Sequence, residues 1–242
     1  MKGDGPVLVI GATQGTGRLV ADLLLREGTP VRVLARTPEK AREIFGGAVE
    51  VVQGDLTKPE TLAPALRGAS GVVLTAGVTK RPAPERLVKS TEYDGTLNVL
   101  RAARATSFRG RLVYMGAIGT TRWSVLAFLL NLIKGNTLKW RRRAEEEIRR
   151  SWLDYTIVHA GILADGPAGK HALMVTRRRL PMRPWYRLGR EDAAEVIVHA
   201  LREPRARNAT LDVVWKRGEP TRDWSSLFRD AASDPSAETS SA

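Results

Sequence analysis

The stretch Gly11-Ala12-Thr13-Gln14-Gly15-Thr16-Gly17 decides the fold of this chain, because an apolar run over 7–10 precedes it and a helical pattern ending near Gly28 follows it. The first glycine permits a tight turn, the second a close approach of backbone to a pyrophosphate, and the third close packing of helix on strand. The N-terminus of the helix then offers free N–H groups to phosphate. The stretch therefore predicts a dinucleotide site that includes Gly11, Thr13, Gln14, Gly15, Thr16 and Gly17.

The rest of the chain alternates short aliphatic runs with helical patterns, which predicts βαβ units and a parallel sheet. The predicted strands are 7–10, 31–34, 49–52, 71–74, 112–115, 155–158 and 211–214. The predicted helices are 15–28, 39–45, 58–67, 87–105, 139–150 and 190–201. This order indicates an α/β fold, a Rossmann-type, doubly wound, mostly parallel sheet in a single domain over 1–232 with a C-terminal extension. The tail over 233–242, rich in Ser, Ala, Asp and Pro, is predicted to be disordered.

The end of the second predicted strand indicates which dinucleotide binds. An acidic residue there would hydrogen-bond the ribose 2′-hydroxyl of NAD, whereas an arginine accommodates the 2′-phosphate of NADP. Arg36 stands at this place, with Lys40 and Arg42 as further cations nearby. We therefore predict NADP(H) as the cofactor, with a merely solvated Arg36 as the alternative.

The composition restricts the chemistry. The 242 residues include no cysteine, and the three histidines, at 159, 171 and 199, lack metal-ligand spacing, so we predict no metal site and no thiol chemistry. The first residues lead into a strand without the charged and apolar segments of a signal peptide. The sequence thus predicts a cytoplasmic protein, and attachment to the periphery of a membrane complex is left open as an alternative.

Positive charge and tryptophan are concentrated in the second half. The net charge is +13, with basic runs at 139–143, 177–179 and 183–190, and all six tryptophans lie beyond residue 120. Such a surface is either simply solvated or attracts an anionic partner. Aromatic residues with arginine are typical of interfaces, while core packing is the alternative for the tryptophans. No recognition motif for nucleic acid accompanies the charge, so nucleic acid is the least favoured partner.

An apolar run over 123–133 is too short to cross a bilayer, which takes roughly 20 residues. Short apolar runs usually form core helices, so we expect this one to be buried first of all. A surface for a protein partner and an interfacial element of a membrane-associated complex are left open as alternatives.

Six short motifs follow one another in the order of a known family. They are Gly11-Ala12-Thr13, Gly54-Asp55-Leu56, Thr75-Ala76-Gly77, Trp140 to Glu145, Leu153 to Gly161 and Arg190 to Ile197. They resemble the atypical short-chain dehydrogenase/reductases, in particular the NAD(P)H-binding group that is NmrA-like or Tic62-like and similar to the biliverdin/flavin reductases. The resemblance covers nearly the whole chain. It implies that Asp55 and Leu56 lie near the adenine and that Thr75, Ala76 and Gly77 lie beside the cofactor.

The chain departs from this family at the positions that carry its chemistry. The resemblance implies a tyrosine that exchanges a proton, a lysine four residues later and a serine after the fifth strand, but Thr137, Arg141 and Ala117 stand there. Arg141 is a fixed cation that can bind ribose or phosphate without relaying a proton. His159, where the family has an arginine, can titrate near neutrality and is the remaining catalytic candidate, with a structural role as the alternative.

Two functions are consistent with these observations, and the sequence leaves open whether the protein is an enzyme. One is an NADP-dependent oxidoreductase that reduces a hydrophobic or planar acceptor, such as a quinone, flavin or tetrapyrrole, because hydride transfer depends on position more than on a protein acid. The other is a non-catalytic NADP(H)-binding redox sensor or accessory subunit of a larger, membrane-associated assembly. The loss of the three catalytic positions, the apolar run at 123–133 and the basic, tryptophan-rich second half motivate the second, while the first tolerates the missing tyrosine and is the class we favour narrowly.

Overall fold

The chain forms a mostly parallel sheet with helices on both faces in a computed structural model that describes residues 5–229. The strands are β1 (Val7–Ile10), β2 (Val31–Ala35), β3 (Glu50–Gln53), β4 (Gly71–Leu74), β5 (Arg111–Ala117), β6 (Tyr155–Ala160), β7 (Ile162–Ala164), β8 (Ala172–Thr176), β9 (Arg187–Gly189) and β10 (Ala209–Lys216). The helices are α1 (Gly15–Arg26), α2 (Pro38–Phe45), α3 (Leu62–Leu66), α4 (Glu85–Val88), α5 (Gly95–Ala105), α6 (Val125–Ile133), α7 (Thr137–Arg150), α8 (Arg190–Arg202) and α9 (Trp224–Leu227).

The strand order β3-β2-β1-β4-β5-β6-β10-β8 places the first strand inside an eight-stranded sheet. Neighbouring strands are parallel except β10 and β8, and β7 and β9 form a separate parallel pair. After β3 the chain crosses back over β1 to form β4, so its winding direction reverses beside β1. Ligands bind outside the carboxyl ends of the strands at such a switch point. The predicted doubly wound sheet is confirmed.

Both faces of the sheet are buried, which explains why its strands are continuous aliphatic runs. In β1, Val7 and Val9 join the core that also contains Val20 of α1, while Leu8 and Ile10 join the core on the opposite face. β1 is therefore fixed from both sides. The glycine turn at its carboxyl end is fixed with it.

The structure differs from the prediction at several elements. β7, β8 and β9 were not predicted; β7 and β9 have only three residues each, which is too short to show a periodic pattern. The helix expected over 87–105 begins at Glu85 and contains a π-helical segment, Lys89–Asp94, between α4 and α5. π-Helical segments are rare and frequently lie at functional sites. The predicted tail at 233–242 lies outside the described residues.

The expectation that the 123–133 run packs in the core is wrong. Among the residues of α6, only Ala127 is buried, and Trp123, just before the helix, is 77% exposed. The reason is positional: α6 follows β5 beyond the carboxyl edge of the sheet, where a small separate apolar cluster covers only one side of it.

Candidate functional site

The glycine turn adopts a backbone that its residue types allow. Gly11 has a φ of 99° and Gly15 a φ of 55°, both in the left-handed region that favours glycine. A Cβ atom on Gly11 would lie 2.8 Å from the backbone nitrogen of Ala76. A Cβ atom on Gly17 would collide with the Gly11 carbonyl oxygen and with the Thr75 hydroxyl. The absence of side chains therefore lets α1 pack directly against the ends of β1 and β4.

The N-terminus of α1 holds donors that lack partners. Gln14 precedes the helix without capping it through its side chain, and the N–H groups of a first helical turn have no partner within the helix. The Thr16 hydroxyl is buried and has no hydrogen-bond partner among the described residues. A Cβ atom on Gly15 would have no atom within 4 Å. Free donors beside open space are the arrangement that a pyrophosphate requires.

Arg36 directly follows β2 and is exposed. Its side chain has no hydrogen bond or ion pair with any other residue between 5 and 229. Arg42, by contrast, lies 3.4 Å from a carboxylate oxygen of Glu39. Of these two arginines, Arg36 is thus the one whose guanidinium is free to meet an anion at the carboxyl edge.

The segments after β3 and β4 complete this edge. Asp55 Oδ1 accepts hydrogen bonds from the backbone nitrogen and the hydroxyl of Thr57 at 2.8 and 2.9 Å. The Leu56 carbonyl accepts one from the amide of buried Asn98 at 2.9 Å. The Thr75 backbone nitrogen donates to the Ile10 carbonyl at 3.0 Å. These bonds bring the predicted residues after β3 and β4 to the same edge as the glycine turn and Arg36.

Glu92, which the sequence did not single out, is the centre of a second polar cluster. It lies in the π-helical segment and is buried. Its Oε2 accepts hydrogen bonds from the Thr137 hydroxyl at 2.6 Å and from Arg141 Nε at 3.0 Å, and its Oε1 accepts one from the Val78 nitrogen at 3.1 Å. We call Glu92, Thr137 and Arg141 the Glu92 cluster. It joins Thr137 and Arg141, the two residues at which the resemblance implies a tyrosine and a lysine.

The Glu92 cluster lies against the turn after β4. A Cβ atom on Gly77 would lie 2.5 Å from Arg141 Nη2, and Arg141 Nη1 donates to the Met115 carbonyl of β5 at 3.2 Å. The side chain of Arg141 is 17% exposed. Its guanidinium is thus near the predicted cofactor residues but mostly bound by protein groups, and its own contact with a cofactor stays a prediction.

The charges of the Glu92 cluster are fixed near neutral pH. Burial alone would raise the pKa of Glu92, but Arg141, the Thr137 hydroxyl and the Val78 N–H outweigh it and lower that pKa. Burial alone would lower the pKa of Arg141, and the Glu92 carboxylate reverses this and raises it. Burial also raises the pKa of nearby Tyr114 well above its ordinary value. None of these groups exchanges a proton near neutrality.

His159 is 1% exposed and lies between two buried carboxylates. Its Nδ1 is 2.9 Å from Asp212 Oδ1 and its Nε2 is 2.9 Å from Glu145 Oε1. Arg149 lies 3.3 Å from Glu145, and Arg179 lies 2.8 Å from Asp212. The five side chains form a row of alternating charges from α7 to the loop after β8.

The surroundings of His159 favour its charged form. Burial alone would lower its pKa, but Glu145 and Asp212 outweigh burial and raise the pKa to about 9. Nδ1 then donates to Asp212, while Nε2 forms an ion-pair contact with Glu145 and lies 3.5 Å from the hydroxyl of buried Thr120. The catalytic role of His159 stays a prediction, and this geometry supports the structural alternative.

Two kinds of site are not found among residues 5–229. No group of three or more histidine, cysteine, aspartate or glutamate side chains in this range could hold a metal ion. Nor is any helix in it long and apolar enough to cross a membrane. The candidate site consists of the glycine turn, Arg36, the segments after β3 and β4, and the Glu92 cluster.

Fold and site together define a class: a doubly wound sheet with a phosphate-binding turn at its switch point is a nucleotide-binding Rossmann domain. A sequence model described as NAD(P)H-binding matches residues 11–204. The chain therefore belongs to the NAD(P)H-binding family, and its resemblance to the atypical short-chain dehydrogenase/reductases is confirmed. A nicotinamide dinucleotide is the cofactor of this family.

Similar proteins include both enzymes and proteins with other roles. An uncharacterized chloroplastic protein of Arabidopsis thaliana is 33% identical over 92% of this chain and 74% of its own length. Sanguinarine reductase of Eschscholzia californica is 28% identical over 92% of this chain and 94% of that protein. The photosystem II assembly factor Ycf39 of Trieres chinensis is 25% identical over 88% of this chain and 64% of that protein.

Solved structures share the fold. The anaerobilin reductase ChuY of Escherichia coli O157:H7 has a TM-score of 0.74 and 22% identity, covering 89% of this chain and all 100% of that one. A short-chain dehydrogenase/reductase of Veillonella parvula in complex with NADP has a TM-score of 0.68 and 18% identity, covering 90% and 97% of the two chains. At these identities the likeness establishes the fold alone.

Proposed function

We propose that this protein is an NADP(H)-dependent reductase whose acceptor takes its proton from water rather than from a protein side chain. The bound cofactor supplies a hydride. The acceptor class that suits this chemistry is hydrophobic or planar, such as a quinone, flavin or tetrapyrrole, because a conjugated system spreads the charge that the hydride brings. The observation that carries the proposal is that the glycine turn, Arg36 and the turn after β4 share one edge of the sheet, and that the Glu92 cluster lies directly beside them.

The glycine turn and Arg36 support the cofactor half of the proposal. The N–H groups at the start of α1 and the unpartnered Thr16 hydroxyl are the donors that would bind the pyrophosphate. Arg36 is exposed, and its side chain has no hydrogen bond or ion pair with another residue in the range 5–229. It would bind the 2′-phosphate that distinguishes NADP from NAD. Asp55 and Thr75 hold the neighbouring segments in place through their own bonds.

The Glu92 cluster supports the second half, the absence of a protein acid. The Thr137 hydroxyl donates a hydrogen bond to Glu92, and a threonine hydroxyl has no useful acidity near neutral pH. Arg141 cannot be deprotonated in a protein. The residues of this cluster can thus hold groups in position, but they supply no proton. The proton must therefore come from solvent.

The similarity to sanguinarine reductase also favours reduction as the reaction class. It leaves the acceptor of this protein open. We therefore rest the acceptor class on the chemistry of the Glu92 cluster.

NADPH oxidation by the purified protein tests the proposal, with menadione, flavin mononucleotide and biliverdin as acceptors. We expect turnover with at least one of them, at a rate that stays constant across neutral pH because no side chain of the cluster titrates there. Thr137→Val should retain this turnover. A bell-shaped pH profile, or loss of turnover in Thr137→Val while the fold and NADPH binding are retained, would contradict the proposed route of the proton.

A second candidate function is a non-catalytic NADP(H)-binding sensor or accessory subunit. It is favoured by Ala117, Thr137 and Arg141, which stand where the resemblance implies catalytic residues, and by the similarity to the assembly factor Ycf39. Tight NADPH binding in calorimetry without oxidation by any acceptor would favour this function over the reductase.

A further inference from the structure

Helix α6 leaves a row of large apolar side chains uncovered. Its sequence holds no charged residue, and only Ala127 is buried. The exposed fractions of the uncovered side chains reach 66% within the helix. Contiguous exposed apolar patches mark surfaces that meet another apolar phase. The uncovered residues are Trp123, Val125, Phe128, Leu129, Leu132 and Ile133.

The polar groups around α6 are used within the protein. Asn131 Oδ1 accepts a hydrogen bond from the Leu138 nitrogen at 2.9 Å. The Ser124 hydroxyl caps the helix by accepting one from the Ala127 nitrogen at 3.2 Å. The helix is therefore anchored, and its outer side presents hydrocarbon.

A basin lined with arginine opens beside α6. Its volume is about 540 Å³, and its lining includes Arg122, Arg178 and Arg183, which are exposed. Met182, next to Arg183, belongs to the same apolar cluster as Ala127 of α6. The guanidinium of Arg183 lies 5.2 Å from the ring of Trp185, which is also exposed. Arg122, which lines the basin, directly precedes Trp123, so the basin lies next to the start of the apolar row.

The surrounding sequence adds no opposing charge. There is no acidic residue between Asp94 and Glu145, or between Asp165 and Glu191. α6 and the arginines of the basin lie within these two acid-free segments. The face consequently combines a hydrocarbon surface with the exposed arginines of the basin, while Glu85, at the C-terminal end of α6, is bonded to Asn136 and Lys139.

We propose that α6 and the arginine basin form a docking face for a bilayer that contains anionic lipids. The apolar side chains of α6 enter the boundary of the acyl chains, and Trp123 and Trp185 lie at the level of the headgroups. The guanidinium groups of the basin bind lipid phosphates, as basic clusters do at negatively charged membranes. This inference does not depend on the proposed reductase activity.

A lipid surface explains the combination better than a macromolecular partner does. A nucleic acid would leave the hydrocarbon of α6 in water, because phosphate contacts satisfy only the arginines. A soluble protein partner would need an apolar socket and an acidic rim of matching shape. An anionic bilayer offers hydrocarbon to α6 and phosphate to the arginines everywhere on its surface.

Sedimentation of the full chain with vesicles tests the proposal. We expect at least tenfold tighter binding to vesicles of phosphatidylcholine with phosphatidylglycerol than to phosphatidylcholine alone, and a loss of this preference as salt rises, because salt screens the charges. The tryptophan emission should shift to the blue on binding, since Trp123 leaves water. Inorganic phosphate at equal total phosphate should not release the protein.

Variants separate the two parts of the docking face. Phe128→Ser/Leu132→Ser should weaken vesicle binding about tenfold or more by removing buried hydrocarbon. Arg178→Ser/Arg183→Ser should weaken it roughly 25-fold, about fivefold for each cation near the surface. Trp152→Ser/Arg104→Ser removes another exposed tryptophan beside an arginine, 5.2 Å apart, and should bind as the wild type does. Circular dichroism and the melting temperature verify that each variant is folded.

Several results would overturn the proposal. One is absence of binding to the anionic vesicles, and another is equal binding by the α6 variant and the wild type. Complete release by inorganic phosphate would identify the basin as a site for soluble anions instead. Conversion of a dimer into a monomer by Phe128→Ser/Leu132→Ser, without vesicle binding, would identify α6 as an interface between two copies.

Discussion

Glu92 shows how one buried carboxylate determines what its neighbours can do. It accepts a hydrogen bond from the Thr137 hydroxyl and holds the guanidinium of Arg141 through two further hydrogen bonds, at 3.0 and 3.3 Å. Residues that could otherwise face a ligand are thereby committed to the protein. The same carboxylate makes the pair strongly interdependent, since either charge alone would be buried without compensation.

Replacing Glu92 by glutamine should lower the free energy of unfolding by about 3 kcal/mol, because Arg141 would keep a mostly buried charge without its partner. Urea unfolding measures this change. Glu146→Gln is the control, because Glu146 forms an exposed pair with Arg142, and such pairs contribute less than about 1 kcal/mol. Equal small effects of both variants would show that the Glu92 cluster contributes little to stability.

Arg36 should determine the preference between NADPH and NADH. Arg36→Ser should weaken NADPH binding by about ten- to a hundredfold, the contribution of a charge-assisted bond to the 2′-phosphate, and leave NADH binding unchanged. Calorimetric titration with both nucleotides measures the two affinities. Arg26→Ser, an exposed arginine at the far end of α1, should alter neither. A parallel loss of both affinities would mean that Arg36 does not read the 2′-phosphate.

His159 should make stability depend on pH in the alkaline range. Its pKa is raised from 6.5 to about 9 on folding, so its contribution is complete below pH 6.5 and is lost as pH rises through about 9. A shift of this size corresponds to on the order of 3 kcal/mol. Urea unfolding at a series of pH values measures the slope. His159→Gln should flatten the slope and His199→Gln should leave it in place, and a wild type that is flat over this range would contradict the assignment.

At the scale of elements, the glycine turn and α1 act as one unit. Gly17→Ala would drive its Cβ into the Gly11 carbonyl and the Thr75 hydroxyl, so the turn or α1 must move. We expect NADPH binding to fall at least tenfold, because phosphate binding depends on the position of the helix N-terminus. Gly28→Ala is the control: it has a φ of 69° and open space around it, at the other end of α1. It should reduce stability by about 1 kcal/mol and leave affinity unchanged.

The sequence predicted those strands and helices whose signal lies within a short stretch of neighbouring residues. The strand before Gly11 and the helix after it follow from hydrophobic periodicity and from the glycines. Glu92 was not predicted, because its role depends on Thr137 and Arg141, which are 45 and 49 positions away. The exposure of α6 could not be predicted from the sequence either, because an apolar run has the same pattern in a core helix and on a surface.

At the scale of the whole molecule, ligand binding and folding are linked. NADPH at about 100 times its Kd should raise the free energy of unfolding by about 2.7 kcal/mol, because it binds only the folded chain. NADH at the same concentration should stabilise less, and Arg36→Ser should remove most of the difference. Thermal unfolding with each nucleotide measures this. Equal stabilisation by both nucleotides would contradict the predicted preference for NADP(H).

The Glu92 cluster also limits how this protein can evolve. Thr137 is 3% exposed, so a tyrosine there would need space that the present packing does not offer. A lysine at position 141 would lose the forked contact with Glu92, and removal of Glu92 would leave Arg141 unpaired. Effects of substitutions in such direct contact do not add. Placing a tyrosine at 137 and a lysine at 141 would therefore require coordinated changes at three positions, since each single step passes through a less stable protein.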